Sequence, residues 1–313
     1  MSTFVLNNGV SVLFPPIVLG TGTIRLDGRF AQFVKKKCEE RSLFYRLIRK
    51  LTFPIIILPQ QLEVIRSVYW ALKCGYRMID TSSAYNNLHL IRIALKLSGV
   101  KREEVFITTR VSNKQQFSKL PIVNFLQKDL KKLGITYIDL YMFHWPVTDH
   151  FVNTWMQMEE IYKAGYARSI GVANCNIYHL KEILRKGTIT PMVNQFEVHP
   201  FFTQKKIIKF CKENNIQIEA YTPLGRNNKE LLTNEELLAI ANKYNKTIPQ
   251  IILRWNIQNG IIPIPKSRNK DRLKQNINIF DFELTSGEIL TVDNLNRDMR
   301  LRYDPDTVDF TKC

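Results

Sequence analysis

Short runs of aliphatic and β-branched residues alternate along this chain with stretches whose apolar positions recur every three or four residues. The runs at 10–13, 17–20, 77–79, 105–109, 137–143, 168–172, 192–194, 216–220 and 261–265 predict strands. The periodic stretches at 61–74, 88–98, 121–133, 152–164, 177–185, 204–214, 234–244 and 249–258 predict helices. Asn8-Gly9, just before the first run, is a hairpin signal, because both residues tolerate the positive φ of a tight turn. From residue 17 onward, strand and helix alternate eight times over about 260 residues, the rhythm and size of an α/β fold of the (β/α)8 barrel type (TIM barrel) with an N-terminal β-hairpin. A doubly wound sheet would carry a Gly-rich dinucleotide turn after its first strand, and none stands there.

One segment breaks the rhythm. Residues 25–60 separate the first barrel strand from the first helix, where a βα loop normally has about 2–6 residues. Phe30, Phe33, Val34, Leu43, Phe44, Leu47, Ile48 and Leu51 recur there at helical spacing, among Lys35, Lys36, Lys37, Arg41, Arg46 and Arg49. The segment reads as one or two basic amphipathic helices, an insertion at 25–60 within a single domain spanning 1–313. It leaves the chain at the end of the first strand, where a lid, a partner site or a membrane-surface helix would start.

Composition narrows the class. Hydrophobic residues make up 45% of the 313 and charged ones 23%, an ordinary globular balance. The net charge of +17 favours anionic ligands. No RNP, zinc-finger or helix-turn-helix pattern accompanies it, so no nucleic-acid partner is expected. The longest apolar run, around 53–58, is broken by Pro54 and stopped by Pro59, far short of the ~20 residues of a membrane span. The N-terminus lacks the basic and apolar regions of a signal peptide. Cys38, Cys74, Cys175, Cys211 and Cys313 are odd in number and scattered, which fits free thiols rather than a disulfide framework or a metal site. A cytoplasmic monomer is expected.

Candidate chemistry collects at the strand ends. Asp80, Arg110, His144, Asn174, Gln195, Tyr221 and Lys266 each follow a predicted strand. In a barrel those ends converge on one mouth, where active sites are built.

The order of these motifs resembles the aldo-keto reductase family across nearly the whole chain outside 25–60. The matching segments are Leu6-Asn7-Asn8-Gly9, Gly20-Thr21-Gly22-Thr23, Gly75-Tyr76-Arg77-Met78-Ile79-Asp80-Thr81 with Tyr85-Asn86-Asn87, and Asp139-Leu140-Tyr141-Met142-Phe143-His144-Trp145-Pro146. They continue with Arg168-Ser169-Ile170-Gly171-Val172-Ala173-Asn174, Val193-Asn194-Gln195-Phe196-Glu197-Val198-His199-Pro200, Tyr221-Thr222-Pro223-Leu224-Gly225, and Ile264-Pro265-Lys266-Ser267 with Arg272 and Asn276. The resemblance implies a barrel that reduces carbonyl compounds with NADPH. It makes Tyr85 the proton donor, Asp80 the carboxylate that holds a neighbouring cation, and His144 the group that orients the carbonyl oxygen. It implies that Tyr221 stacks on the nicotinamide, that Asn174 and Gln195 bind the carboxamide, and that Thr23, Ile24 and Asp80 border the ring. Thr222, Pro223, Leu224 and Arg226 would wrap the pyrophosphate. Lys266, Ser267 and Arg272 would hold the 2′-phosphate, with Gln275 and Asn276 on the adenine. Ile24, Tyr85, His144 and Trp145 would line the pocket for a small carbonyl substrate, and residues 299–313 would form the variable substrate loop.

Three departures stand out. Arg110 occupies the position of the family's catalytic lysine, with its charge spread over a planar fork instead of concentrated at a point. It is expected to retain some lowering of the Tyr85 pKa or to lock bidentately onto Asp80 and crowd Tyr85, and to weaken turnover more than binding. The resulting alternative is a catalytically weak NADPH-binding barrel that acts through a partner or membrane surface. Ala173 replaces a serine of the carboxamide site, and Leu88 replaces the usual glutamate after Tyr85-Asn86-Asn87. Lys114, four residues past Arg110, is out of register and is not expected to substitute.

Overall fold

The structure, a computed structural model, describes residues 4–6, 11–12, 17–22 and 59–310. The expected insertion at 25–60 lies outside these residues except for Pro59 and Gln60, which open the first helix. Thr23 and Ile24 lie outside them as well.

Strand β1 (Phe4–Val5) pairs antiparallel with β2 (Ser11–Val12), in agreement with the Asn8-Gly9 signal. Eight parallel strands follow: β3 (Val18–Gly20), β4 (Met78–Asp80), β5 (Phe106–Val111), β6 (Leu140–Phe143), β7 (Ile170–Ala173), β8 (Val193–Glu197), β9 (Gln217–Tyr221) and β10 (Ile261–Ile264). Each pairs with the next in chain order. The Gly20 N–H donates to the Pro265 carbonyl at 3.1 Å and brings the first and last barrel strands together. The predicted barrel is present. Strands such as Leu140–Phe143 are buried on both faces, which demands a covering layer of helices.

That layer follows the sequence periodicity. Its helices are α1 (Pro59–Lys73), α2 (Leu88–Ser98), α3 (Asn113–Gln116), α4 (Ile122–Leu133), α5 (Phe151–Lys163), α6 (Ile177–Lys186), α7 (Lys205–Glu213), α8 (Lys229–Leu232), α9 (Glu235–Lys243), α10 (Ile248–Gln258), α11 (Lys270–Ile277) and α12 (Ser286–Asn294). In α4, Ile122, Leu126, Leu130 and Leu133 form one buried stripe. Gly134 ends it at φ 70°, a left-handed cap that glycine adopts without a steric cost. The helices α3, α8, α11 and α12 were not predicted, being short or weakly periodic. In α12 a capping box sets the start: Thr285 Oγ1 accepts from the Glu288 N–H, and Glu288 Oε2 accepts from the Thr285 N–H. No helix among the described residues is long and apolar enough to cross a membrane.

The strands run further than the sequence suggests, and this corrects the placement of four site residues. Asp80, Arg110, Gln195 and Tyr221 lie within strands instead of following them, because the parallel ladder continues through Arg110↔Met142 and Gln195↔Glu219. Their side chains therefore project from barrel walls, not from loops.

Candidate active site

At the centre of the mouth is a buried polar network drawn from four strands. Arg110 on β5 donates from Nη2 to Asp80 Oδ2 on β4 and from Nη1 to Gln195 Oε1 on β8 at 2.9 Å. Gln195 Nε2 donates to Asp80 Oδ2 at 3.0 Å and to Glu219 Oε2 on β9 at 2.8 Å. All four side chains belong to residues that are at most 5% exposed. One guanidinium thus faces two carboxylates through a shared amide. The expected pairing of Arg110 with Asp80 is present, but through one arm only, because the fork spans two strands. The Arg110 Nε atom is buried without a partner. Lys114 is exposed on α3.

The network sets the protonation states around it. Burial pushes the Arg110 guanidinium down, but Asp80, Tyr85 and Glu219 more than offset it and keep the charge. Burial holds the Asp80 carboxyl above its ordinary range against the pull of Arg110 and Gln195. Burial and the neighbouring Asp80 push Glu219 up to about 7, with Gln195 and Arg110 opposing.

Tyr85 ends a 3₁₀ turn (Ser83–Tyr85), whose N-cap Ser82 accepts from the Ala84 N–H at 3.2 Å. Its ring meets His144 edge-on, with centroids 6.0 Å apart. The Tyr85 hydroxyl lies beside Gly22, whose carbonyl accepts from Lys266 Nζ. Burial raises the Tyr85 pKa; Arg110 and Arg302 pull it down and Asp80 pushes it up. The cation thus acts in the expected sense, but burial prevails and the net direction is upward. His144 is pushed down to about 3, by burial first and then by Arg110 and Arg302, so it is neutral at physiological pH. Its backbone is fixed by an N–H bond to the Val111 carbonyl at 3.0 Å and by Asn174 Nδ2, which donates to its carbonyl at 2.9 Å.

A second group continues around the mouth. Tyr221 donates its hydroxyl to Asn174 Oδ1 at 2.6 Å, tying β9 to the end of β7. Beyond Tyr221, Thr222, Gly225, Arg226 and Asn227 all adopt positive φ, and Thr222 Oγ1 is buried with no partner. The turn is closed by its own backbone: the Gly225 N–H donates to the Thr222 carbonyl at 2.9 Å and the Asn227 N–H to the Leu224 carbonyl at 3.1 Å. Lys266 and Ser267 follow β10, with Arg272 and Gln275 exposed and Asn276 buried on α11. Ala173 ends β7 with no polar side-chain atom. Gln195, expected at the carboxamide, already has both amide hydrogens and one Oε1 bond committed to the network.

Trp145 is buried beside His144, its carbonyl accepting from Gln116 Nε2 at 3.0 Å. Its ring meets Tyr303 and Phe310 of the C-terminal segment at centroid distances of 6.2 and 5.2 Å. Two features escaped the sequence reading. Glu219 lies inside the run Ile218-Glu219-Ala220, and a carboxylate in an otherwise apolar strand was the available signal. The contact between Glu197 and the backbone of Leu301 and Arg302 spans about a hundred residues and left no local trace.

The pattern of the Aldo/keto reductase family matches residues 59–297. Glyoxal reductase of Bacillus subtilis (strain 168) is 45% identical over 248 residues, covering 79% of this chain and 89% of that protein. Among solved structures, an aldo-keto reductase from a Medee basin deep-sea metagenome library superposes with a TM-score of 0.83 at 34% identity, over 99% of this chain and 100% of its own. A Bombyx mori aldo-keto reductase in complex with NADP does so with a TM-score of 0.77 at 33% identity, over 97% of this chain and 96% of its own. Family pattern, relatives and solved barrels agree: this chain belongs to the aldo/keto reductase family.

Proposed function

We propose that this protein reduces small aldehydes and ketones to alcohols with NADP(H), using Tyr85 as the proton donor. The observation that carries the reading is the meeting of a protonated phenol, a neutral imidazole and a buried Asp80–Arg110 pair at one end of the barrel. The kinship with a glyoxal reductase supports small reactive carbonyls as the substrate class.

The residues fit the cofactor. The orphaned Thr222 hydroxyl suits a pyrophosphate, with Pro223, Leu224 and Arg226 around it. Lys266, Ser267 and Arg272 suit a 2′-phosphate, two cations and a hydroxyl for a dianion. Gln275 and Asn276 would meet the adenine, Tyr221 the nicotinamide face and Asn174 its carboxamide. Gln195 has one remaining acceptor site to offer there. When bound, NADPH supplies the hydride.

The protein's own part is orientation and proton transfer. Because His144 is neutral, it donates one N–H to the carbonyl oxygen without placing a second full charge near Arg110. Tyr85 keeps its proton at neutral pH and yields it to an oxygen that becomes an alkoxide, a far stronger base than phenolate. Trp145 and the C-terminal segment wall the pocket from water.

Steady-state reduction of glyoxal and of a nitrobenzaldehyde, followed by loss of NADPH absorbance, tests this. We expect turnover by the wild type and a loss of about 10²- to 10⁴-fold in Tyr85→Phe, with NADPH binding by fluorescence retained. Wild-type protein that binds NADPH yet reduces neither carbonyl would overturn the reading. Replacing Lys266 and Arg272 by alanine should weaken NADPH far more than NADH.

A further inference from the structure

The reaction above leaves one buried carboxyl at the mouth without a task. Glu219 sits on β9, where its partners in the ladder are Gln195 of β8 and Ile262 of β10. It is 2% exposed, and its Oε2 accepts from Gln195 Nε2 at 2.8 Å. The same amide nitrogen donates to Asp80 Oδ2 at 3.0 Å, and Gln195 Oε1 accepts from Arg110 Nη1 at 2.9 Å. A primary amide has two N–H donors and one oxygen, so three partners orient Gln195: its nitrogen faces the carboxyls and its oxygen faces the guanidinium. Asp80 and Arg110 also bond each other, which makes Glu219 the third anchor, on a strand of its own.

The charges of this cluster do not balance if every group ionises. Arg110 carries one positive charge, against two negative ones on Asp80 and Glu219. The groups that face Glu219 are Asp80 from β4, Arg110 from β5 and Gln195 from β8, while β10 sets the apolar Ile262 beside it. An unmatched buried charge is costly, so one carboxyl keeps a proton. The direct bond to Arg110 favours charge on Asp80. Glu219 reaches the guanidinium only through the amide, and its carboxyl is pushed up to about 7 by burial and by Asp80. The cluster is also tied to the proton donor. Ser83 Oγ donates to the Arg110 carbonyl at 3.2 Å, and Ser83 opens the turn that ends in Tyr85.

We propose that Glu219 is a positioning residue for the reduction: as an uncharged carboxyl it anchors Gln195, which seats Arg110 against Asp80 and leaves the guanidinium to assist Tyr85. This rests on the carbonyl-reductase reading and deepens it. Ionised Glu219 keeps the anchor but brings a second negative charge to the cluster. The pull of Arg110 on the Tyr85 proton is then offset, and proton transfer slows. The proton on Glu219 does not travel to the substrate; it sets the charge of the cluster beside which Tyr85 works. Reduction therefore slows as pH rises through the range in which Glu219 ionises. His144, at about 3, does not titrate there, and Tyr85 and Arg110 do so only well above it.

The test is the single-turnover rate of NADPH oxidation by a nitrobenzaldehyde, measured by stopped flow between about pH 5.5 and about pH 9. Wild type is compared with Glu219→Gln, Glu219→Ala and Asp129→Asn. Glutamine keeps an acceptor for the Gln195 amide and cannot ionise, whereas alanine removes the acceptor. Asp129 on α4 is another buried carboxyl pushed up to about 7, and its variant controls for ionisation away from the mouth. We expect the wild-type rate to fall about 5- to 20-fold through one step near neutrality. Glu219→Gln should hold its low-pH rate throughout, and Asp129→Asn should keep the wild-type step. Glu219→Ala should lose about 10-fold at every pH, with a smaller change in NADPH affinity. A step that persists in Glu219→Gln overturns the proposal, as does a rate in Glu219→Ala equal to that of Glu219→Gln. Should the alanine variant fail to fold, the glutamine profile decides alone. A wild type that binds NADPH but reduces no carbonyl at any pH overturns the reductase reading and this role with it. An active wild type whose profile matches that of Glu219→Gln overturns this role alone.

Discussion

At the scale of single residues, the departure at Arg110 has a geometric meaning. A guanidinium that spends one arm on Asp80 and the other on Gln195 is held below Tyr85 by two strands, and none of its described hydrogen bonds goes to the phenol. A lysine at this position would be a compact charge free to approach the hydroxyl, and it would release Gln195. We expect Arg110→Lys to raise kcat about 10- to 100-fold, ~1.4–2.8 kcal/mol of transition-state stabilisation, with a smaller change in NADPH affinity. Steady-state kinetics and fluorescence titration separate the two; a lower kcat in the lysine variant would show that Arg110 is a competent replacement. Glu219 offers a pH test. Its folded pKa near 7 lies above the unfolded value, so the native state holds a proton that the unfolded chain gives up near about pH 4. The stability this confers is complete at low pH and lost as pH rises through about 7. Glu219→Gln cannot ionise, so its urea-unfolding free energy should change less than the wild type's between about pH 5 and about pH 8, by ~1–3 kcal/mol. Equal slopes would mean that Glu219 stays ionised in the fold. The identities of Asp80, Tyr85 and His144 were legible because short motifs surround them. The role of Gln195 as a bridge was not, since it depends on which of four strands lie opposite one another.

At the scale of elements, the long amphipathic helices were readable from burial stripes, whereas α12 was not. Its starting box and a single fully buried valine, Val292, leave almost no periodic signal. The strands are constrained by how closely they approach. A Cβ at Gly171 in β7 would lie 2.7 Å from the Val193 carbonyl oxygen and 3.0 Å from Val193 Cβ, so backbone would have to move. Gly171→Ala should therefore destabilise the barrel by ~1–3 kcal/mol and lower Tm, as read by calorimetry. An unchanged Tm would mean that β7 and β8 can separate freely. The C-terminal segment depends on Glu197 in a different way. Glu197→Ala leaves two backbone N–H groups without their acceptor, each worth about 1 kcal/mol or more. Trypsin should then cut after Arg300 or Arg302 at least ~10-fold faster under native conditions, because the opened state is more populated. A wild-type digestion rate would show that Trp145, Tyr303 and Phe310 hold the segment by themselves.

For the whole molecule, eightfold alternation made the architecture legible, because eight strand-helix units of this size suit a closed barrel, and the absence of a Gly-rich turn after the first strand set it apart from a doubly wound sheet. The net charge of +17 adds something that the fold does not: a positive field that extends beyond the mouth. NADPH carries more negative charge than NADH, so long-range attraction should speed its arrival more. Salt shortens that field to a Debye length of ~10 Å at about 0.1 M and ~3 Å at about 1 M, while contacts within the phosphate site are screened less. Stopped-flow association rates should therefore fall with added salt, more steeply for NADPH than for NADH, and dissociation rates should move little. Local contacts and the global field can be separated by reversing charges remote from the site. Lys206, Lys209 and Lys212 are exposed on α7, outside the barrel wall. Replacing all three by glutamate should slow NADPH association severalfold at low salt and leave its dissociation rate at the wild-type value. If the triple variant associates at the wild-type rate, steering comes from Lys266, Arg272 and their neighbours alone, and the excess charge elsewhere on the molecule has no part in capturing the cofactor.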